Sequence, residues 1–241
     1  MKVAMQKGKI ITIEGSDGSG KKTQTKLLVE RAMKARYNVA TMSFPQYDKP
    51  TGQRVRDYLD GKLGDLKSVD PRFSTKLYAE DRFAAKPKIM NWLKYKTNVI
   101  FDRWIESNMG HQSAKFGKED RIKFVEWIRR LEMGQNGLPE SDLVVYLDLP
   151  VEYNQRAMEK EGRTKDLHEK DVNYLLKVED TYKWLARTNK NWVVIDCLKR
   201  DFFSGDTRKS IEEINDEIWG IVEPVLVKEN LLDKIMRLLH I

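Results

Sequence analysis

The chain has 241 residues, 40% of them hydrophobic and 10% aromatic, which supports a sizeable core in one large or two small domains. It contains no apolar run of about 18 residues, so no membrane-spanning helix is expected, and residues 1–8 lack the apolar stretch of a secretion signal. One cysteine, Cys197, excludes an intrachain disulfide framework and fits a reducing cytoplasm, and three histidines beside it argue against a structural zinc site. The net charge of +7 arises from 44 basic and 37 acidic residues interleaved along the whole chain. That distribution suits a site for several phosphate charges on a solvated surface better than a nucleic-acid-binding face.

The first predicted element is a short apolar strand, Lys9–Glu14. It leads into Gly15-Ser16-Asp17-Gly18-Ser19-Gly20-Lys21-Lys22-Thr23, and helical periodicity follows over Lys21–Tyr37. Glycine, four residues, glycine and lysine between a strand and a helix is the spacing of a phosphate-cradling loop. Glycines let the backbone turn its N–H groups inward. The helix N-terminus adds a partial positive charge and Lys21 a full one. One position departs from the pattern. A Ser or Thr hydroxyl beside Mg²⁺ is usual after the lysine, and Lys22 stands there. Thr23 lies one residue on, about 100° around a helix, and is no simple substitute.

Further predicted strands are Asn38–Phe44, Asn98–Asp102, Leu143–Leu149 and Trp192–Cys197, all short and rich in Val and Ile, as strands buried on both faces should be. Between them, helical periodicity covers Gly52–Leu59, Pro71–Tyr95, Ile105–Lys115, Glu119–Met133, Val151–Lys160, Val172–Arg187 and Arg208–Val227. Pro87 is expected to kink or split the second of these. The alternation gives an α/β fold, a doubly wound five-stranded parallel sheet flanked by helices in one domain spanning residues 1–241. In such sheets ligands sit beyond the carboxyl ends of the strands. Phe44-Pro45 and Asp102-Arg103 fall there together with the loop. The polar stretch Lys160–Lys170, with only Leu167 apolar, reads as a lid or a solvated loop. A tail at about 229–241 has helical apolar spacing.

Five ordered segments resemble those of the thymidylate kinase family: Gly15–Lys21, Phe44-Pro45-Gln46-Tyr47, Leu77-Tyr78-Ala79-Glu80-Asp81-Arg82, Asp102-Arg103-Trp104 with Ser107-Asn108, and Gly137-Leu138-Pro139-Glu140-Ser141-Asp142. The resemblance covers the chain to about Val227. It implies phosphorylation of dTMP by ATP with Mg²⁺, in dTTP synthesis, by a cytoplasmic homodimer with no nucleic-acid or membrane partner. Catalytic roles fall on Asp17, Lys21, Arg103 and, in the lid, Arg163, with Lys165 beside it. The donor phosphates go to Gly15, Ser16, Gly18, Ser19, Gly20, Lys21, Lys22 and Thr23. Substrate contacts fall on Asp17, Phe44, Tyr47, Tyr78, Arg82, Arg103, Ser107, Asn108, His111 and Gln112. Tyr78 stands where the family usually has Phe, and His111 where many relatives have Tyr beside the sugar. Candidate metal carboxylates are Asp17, Asp102, Asp166 and Glu169, since some relatives with a basic residue at the Lys22 position are held to bind Mg²⁺ through acids nearer the acceptor.

Three other readings fit parts of the sequence. A kinase for another deoxynucleotide or a deoxynucleoside shares the loop and the acid-Arg segment, although deoxynucleoside kinases usually carry Ser where Trp104 stands. A phosphate-loop switch would keep the loop Ser/Thr. An inactive relative would keep the loop as a binding module.

Overall fold

The computed structural model describes residues 7–65, 68–154, 166–201 and 205–226. Five strands form one parallel sheet: β1 (Ile10–Gly15), β2 (Val39–Ser43), β3 (Asn98–Asp102), β4 (Leu143–Asp148) and β5 (Trp192–Asp196), in the order β2-β3-β1-β4-β5. The chain builds to one side of β1 for β2 and β3 and to the other for β4 and β5. The loop after β1 therefore opens at the point where the winding reverses, the ligand position of such sheets.

The helices are α1 (Lys21–Lys34), α2 (Pro50–Leu59), α3 (Pro71–Lys94), α4 (Ile105–His111), α5 (Lys118–Arg129), α6 (Val172–Thr188) and α7 (Ile211–Leu226). A π-helical turn, Arg130–Gln135, continues α5. Strand side chains alternate between two cores. Ile10, Phe101, Val144 and Tyr146 face α3 to α6, whereas Ile11, Ile13, Ile100, Val145 and Leu147 face α1 and α7. Every residue of β1 and β3 is buried, which is why they read as continuous apolar runs.

Two elements depart from the sequence expectation. α3 runs unbroken through Pro87. Pro87, Phe83 and Ala84 are all exposed, so the carbonyl of Phe83, which loses the Pro87 N–H, lies on the solvent side. The last helix begins at Ile211 rather than Arg208, because Thr207–Arg208 (β7) pairs antiparallel with Leu198–Lys199 (β6). The helix expected over 151–160 is helical over 151–154 and lies outside the described residues beyond that. Of the expected lid, 166–170 forms a turn docked on α2, with Leu167 N–H donating to Leu59 O at 3.1 Å. Its remainder, including Arg163 and Lys165, and the tail lie outside the described residues.

All seven residues of α4 are buried within the chain. Gly110 sits there because any Cβ would come within 2.4 Å of the Tyr182 ring. Glu106 is 3% exposed, and its Oε2 has no partner among the described residues. Burial, then the charge of Glu14, pushes the Glu106 carboxyl up to about 7. The folded state thus holds a proton that the unfolded state has released above about 4.5, so stability is lost as pH rises from about 4.5 to 7. Glu106→Gln should remove that loss. Its stability relative to the parent should grow by about 2–3 kcal/mol between pH 4.5 and 7.5, read from urea midpoints. Parallel pH profiles for the two proteins would show that Glu106 is ionised throughout.

Candidate functional site

The loop after β1 is shaped as its glycines allow. Gly20 has φ 97°, in the left-handed region, and caps α1. Lys21 is 6% exposed, and its Nζ donates to Ser16 O at 2.7 Å and lies 3.8 Å from Asp17 Oδ1. Burial and the neighbouring Arg103 bring its ammonium down to about 8, with Asp17 opposing, so it stays charged at neutral pH. Ser16 is fixed from below by Asn154 Nδ2, which donates to its Oγ at 2.6 Å. Lys22 and Thr23 are exposed on the first turn of α1.

Two clefts open along this edge of the sheet. The first is lined by Asp17, Gly18, Ser19, Gly20, Lys21, Lys22 and Thr23, with Asp102, Arg103, Arg208 and Lys209. Gly15 and Ser16 are buried and do not line it. Arg208 Nη2 reaches over the loop to Ser19 O at 3.1 Å and Gly18 O at 3.3 Å. The second cleft is lined by Asp17, Phe44, Tyr47, Tyr78, Arg82, Arg103, Ser107, Asn108, His111 and Gln112, with Asp166, His168 and Glu169. All ten residues assigned to substrate from the sequence are thereby brought into one cleft. Asp17 and Arg103 line both.

Arg103 is held at this junction by an unusual backbone. Its φ is 68°, in the left-handed region, directly after β3. Its N–H donates to Ile13 O at 3.2 Å. The next N–H, of Trp104, donates to Glu14 Oε1 at 3.1 Å. Glu14 is fully buried and also accepts from Ser107 Oγ at 2.8 and 2.9 Å and from Tyr182 Oη at 2.8 Å. One carboxylate thus ties β1, the turn after β3, α4 and α6 together. Burial raises its pKa, against the charge of Arg103 and these hydrogen bonds.

The Arg103 guanidinium bonds the Asp17 carboxylate through Nη2 and approaches His111 Nε2 at 3.3 Å and Ser107 Oγ at 3.5 Å. Burial opposes both charges, yet Arg103 and then Lys21 hold Asp17 well below the usual carboxylate range, and Asp17 holds Arg103 above its own. Burial, then Arg103, brings His111 down to about 3, so it is neutral at pH 7. Its ring stacks on His168, with centroids 5.9 Å apart, and Tyr58 Oη lies 2.9 Å from His168 Nε2.

Among the residues lining the second cleft, Arg82 and Asn108 are 1% and 2% exposed. Arg82 makes a two-pronged ion pair with Glu132, Nε to Oε2 at 2.6 Å and Nη2 to Oε1 at 2.8 Å. Removing either charge alone strands the other, at a cost of roughly 3–5 kcal/mol. Phe44 packs at a tilt against the stacked Phe101–Trp104 pair, with centroids at 5.9 and 5.2 Å. Tyr78 meets Tyr58 edge-on at 6.3 Å, and Tyr47 lies 38% exposed under the Arg56 guanidinium.

The four candidate metal carboxylates do not converge. Asp17 lies at the junction, Asp102 in the first cleft, and Asp166 and Glu169 in the second. Among the described residues, no three His, Cys, Asp or Glu side chains are grouped to hold a metal. Asp102 accepts from Ser43 Oγ at 3.1 Å. Asp166 Oδ1 caps the turn through the N–H groups of His168 and Glu169, at 2.8 and 2.9 Å. Burial and the charge of Asp17 push the Asp166 carboxyl up to about 7. Mg²⁺ retains several waters and takes one or two carboxylates, so Asp17 with a single neighbour is a donor set that fits it.

Sequence reasoning missed Glu14, Glu132, His168 and Arg208. Glu14 had a signal, a charged residue ending a strand of buried apolar type. Glu132 had a weaker one, an acid four residues after Ile128 and eight after Phe124 on the apolar stripe of α5. His168 and Arg208 had none.

Two clefts that meet at one carboxylate–guanidinium pair, one of them a phosphate loop, define the class: a phosphate-loop kinase of the nucleotide phosphotransferase type. The family model "Thymidylate kinase" matches residues 13–218. Thymidylate kinase of Mycobacterium tuberculosis is 31% identical over 194 residues, covering 77% of this chain and 90% of that protein. The probable thymidylate kinase of Methanocaldococcus jannaschii is 32% identical over 215 residues, covering 89% and 96%. A solved thymidylate kinase from Candida albicans superposes with a TM-score of 0.71 at 22% identity, over 90% of this chain and 92% of that one, a likeness of fold. The chain belongs to the thymidylate kinase family.

Proposed function

We propose that this chain transfers the γ-phosphoryl group of ATP to dTMP, giving dTDP and ADP. The observation that carries the reading is the junction, where Asp17 and Arg103 line both the loop cleft and the second cleft. Family membership supplies the identity of the two nucleotides. ATP places its β- and γ-phosphates against Lys21 and the N-terminus of α1. The dTMP phosphate meets Arg103 and Tyr47, its base lies between Phe44 and Tyr78, and Arg82 and Asn108 face the base edge. An oxygen of the dTMP phosphate attacks the γ-phosphorus in line. The bond from that phosphorus to the bridging oxygen breaks, and ADP leaves with the electron pair. The work left to the protein is positioning and charge neutralisation. Asp17 with Asp102, or with the Asp166–Glu169 turn, would hold Mg²⁺, which adds positive charge at the transferring group. Arg163 and Lys165 add charge from the lid.

The remaining parts of the reading are cytoplasmic location, a homodimer and no nucleic-acid partner. Buried, unpaired Cys197 fits the first. No helix among the described residues is long and apolar enough to cross a membrane. Among the described residues many basic side chains sit in surface ion pairs, such as Lys9–Asp142, Arg31–Asp216 and Lys199–Glu213, which supports the last of the three. α4 is completely buried within the chain and offers no surface to a dimer. Phe73, Phe83 and Met90 on α3 and Ile122 on α5 are 36–52% exposed and offer the apolar surface instead.

The test is turnover of purified protein with ATP, Mg²⁺ and each nucleoside monophosphate in turn. dTMP should give ADP and dTDP at the highest kcat/KM. Faster turnover of another monophosphate would replace the substrate. ADP at background with all of them would favour an inactive relative. A sedimentation mass of one chain at assay concentration would remove the dimer.

A further inference from the structure

We propose that Glu132, which lines neither cleft, sets which pyrimidine the second cleft accepts, by fixing the direction of Arg82 and the hydrogen-bonding polarity of Asn108. The proposal rests on the reading of that cleft as the dTMP site. Glu132 has no exposed surface and sits on the π-helical turn after α5. Its Oε1 accepts from Arg82 Nη2 at 2.8 Å and from Asn108 Nδ2 at 2.7 Å, and its Oε2 accepts from Arg82 Nε at 2.6 Å. Asn108 Nδ2 also donates to Thr75 O at 3.1 Å.

Both hydrogens of the Asn108 amide are thereby committed to oxygen acceptors. The opposite amide orientation would set its oxygen against a carbonyl and a carboxylate, so only one orientation is allowed. Oδ1 is left as an acceptor without a partner among the described residues, on a side chain that lines the cleft. Arg82 is fixed in the same way. With Nε–H and one Nη2 hydrogen engaged by Glu132, the Nη1 hydrogens and the second Nη2 hydrogen remain as donors, and Arg82 lines the cleft too. The wall therefore offers a fixed donor group and one fixed acceptor.

Thymine and uracil present a 4-carbonyl acceptor beside an N3–H donor, the complement of that pair. Cytosine presents a 4-amino donor beside a bare N3 acceptor, which sets donor against donor and acceptor against acceptor. Buried polar groups left facing like groups discriminate strongly. Arg82 can only donate, but an asparagine amide free to rotate would serve either ring. Glu132 removes that freedom together with Thr75 O, and it is a positioning residue.

The experiment compares dTMP with 5-methyl-dCMP, which differ only at this ring edge, in the full-length protein with ATP and Mg²⁺. The parent should favour dTMP in kcat/KM by about 100-fold or more. Glu132→Gln places an amide NH₂ among three donors and releases the Asn108 orientation. The dTMP to 5-methyl-dCMP ratio should then fall about tenfold or more, with the KM for ATP within about twofold of the parent. Glu132→Asp keeps a buried charge for Arg82 but is a methylene too short to hold both partners. Its ratio should fall by a smaller factor, and it decides the matter where the Gln variant does not fold. Equal losses on both nucleotides in either folded variant, or an Asp variant with the parent's ratio, would overturn the proposal. A parent that turns over 5-methyl-dCMP as well as dTMP would instead overturn the reading of the cleft.

Discussion

Arg103→Ala should reduce kcat/KM for dTMP by about 100- to 1000-fold while the protein remains folded. The size follows from what the guanidinium does. It stands at the junction of both clefts, largely shielded from water and already paired with Asp17. A preorganised cation facing developing phosphate charge contributes about 3–4 kcal/mol to transition-state stabilisation. The variant should fold because Asp17, losing one cation, keeps Lys21 at 3.8 Å. Alanine at φ 68° carries a left-handed strain of roughly 1–2 kcal/mol, less than the usual stability of a domain. Arg103→Lys should fall between the two, since it restores charge without the two-pronged geometry. Steady-state kinetics with dTMP as the varied substrate, beside circular dichroism, make the measurement. A folded Ala variant with unchanged kinetics would remove the acceptor-phosphate role.

The parts of this molecule that could be read from its sequence are those in which one segment carries its own signal. β1, β3 and β4 are buried on both faces, and such strands must be continuous apolar runs. The phosphate loop is legible because glycine spacing, lysine and a following helix are all local. The residues expected to meet substrate came from short segments whose order matches a family, and the fold brings them to one cleft because each follows a strand or faces it from α3 or α4. What stayed hidden depends on distant partners. Arg82 and Glu132 are 50 residues apart, and Glu14 and Tyr182 are 168 apart. Their meaning appears only when buried charge must find a partner. β6 and β7 have two residues each, too short for any period to show, and their pairing moved the start of α7 to Ile211. Pro87 misled because the rule against proline inside a helix assumes that the orphaned carbonyl is buried.

Lys21 and Lys22 are adjacent in sequence and should differ in effect by two orders of magnitude or more, since Lys21→Ala is expected to lower kcat/KM at least about 100-fold and Lys22→Ser to give no gain. Lys21 is inside the loop, its ammonium stripped of water and held on Ser16 O at 2.7 Å. Burial has already lowered it to about 8, so an arriving triphosphate meets a cation whose desolvation is complete and which exchanges a carbonyl for a charged oxygen. Removing it also leaves Asp17 with Arg103 as its one strong partner and a cavity beneath the loop. Lys22 is exposed, about 100° further round α1, and adds charge to the first cleft without a fixed contact to the loop. A serine there would restore the hydroxyl usual in phosphate loops. It would not restore the rest of a loop-type metal site, because the candidate metal carboxylates nearest the loop are Asp17 at the junction and Asp102 in the first cleft. It would also remove a positive charge from a cleft meant for a triphosphate. Turnover of both variants over a range of Mg²⁺ concentrations decides between these accounts. If Lys22→Ser exceeded the parent at saturating Mg²⁺, the lysine would be a defect of the loop and the inactive-relative reading would gain. A rate at or below the parent's, with Asp17→Asn shifting the Mg²⁺ dependence, would place the metal with the carboxylates.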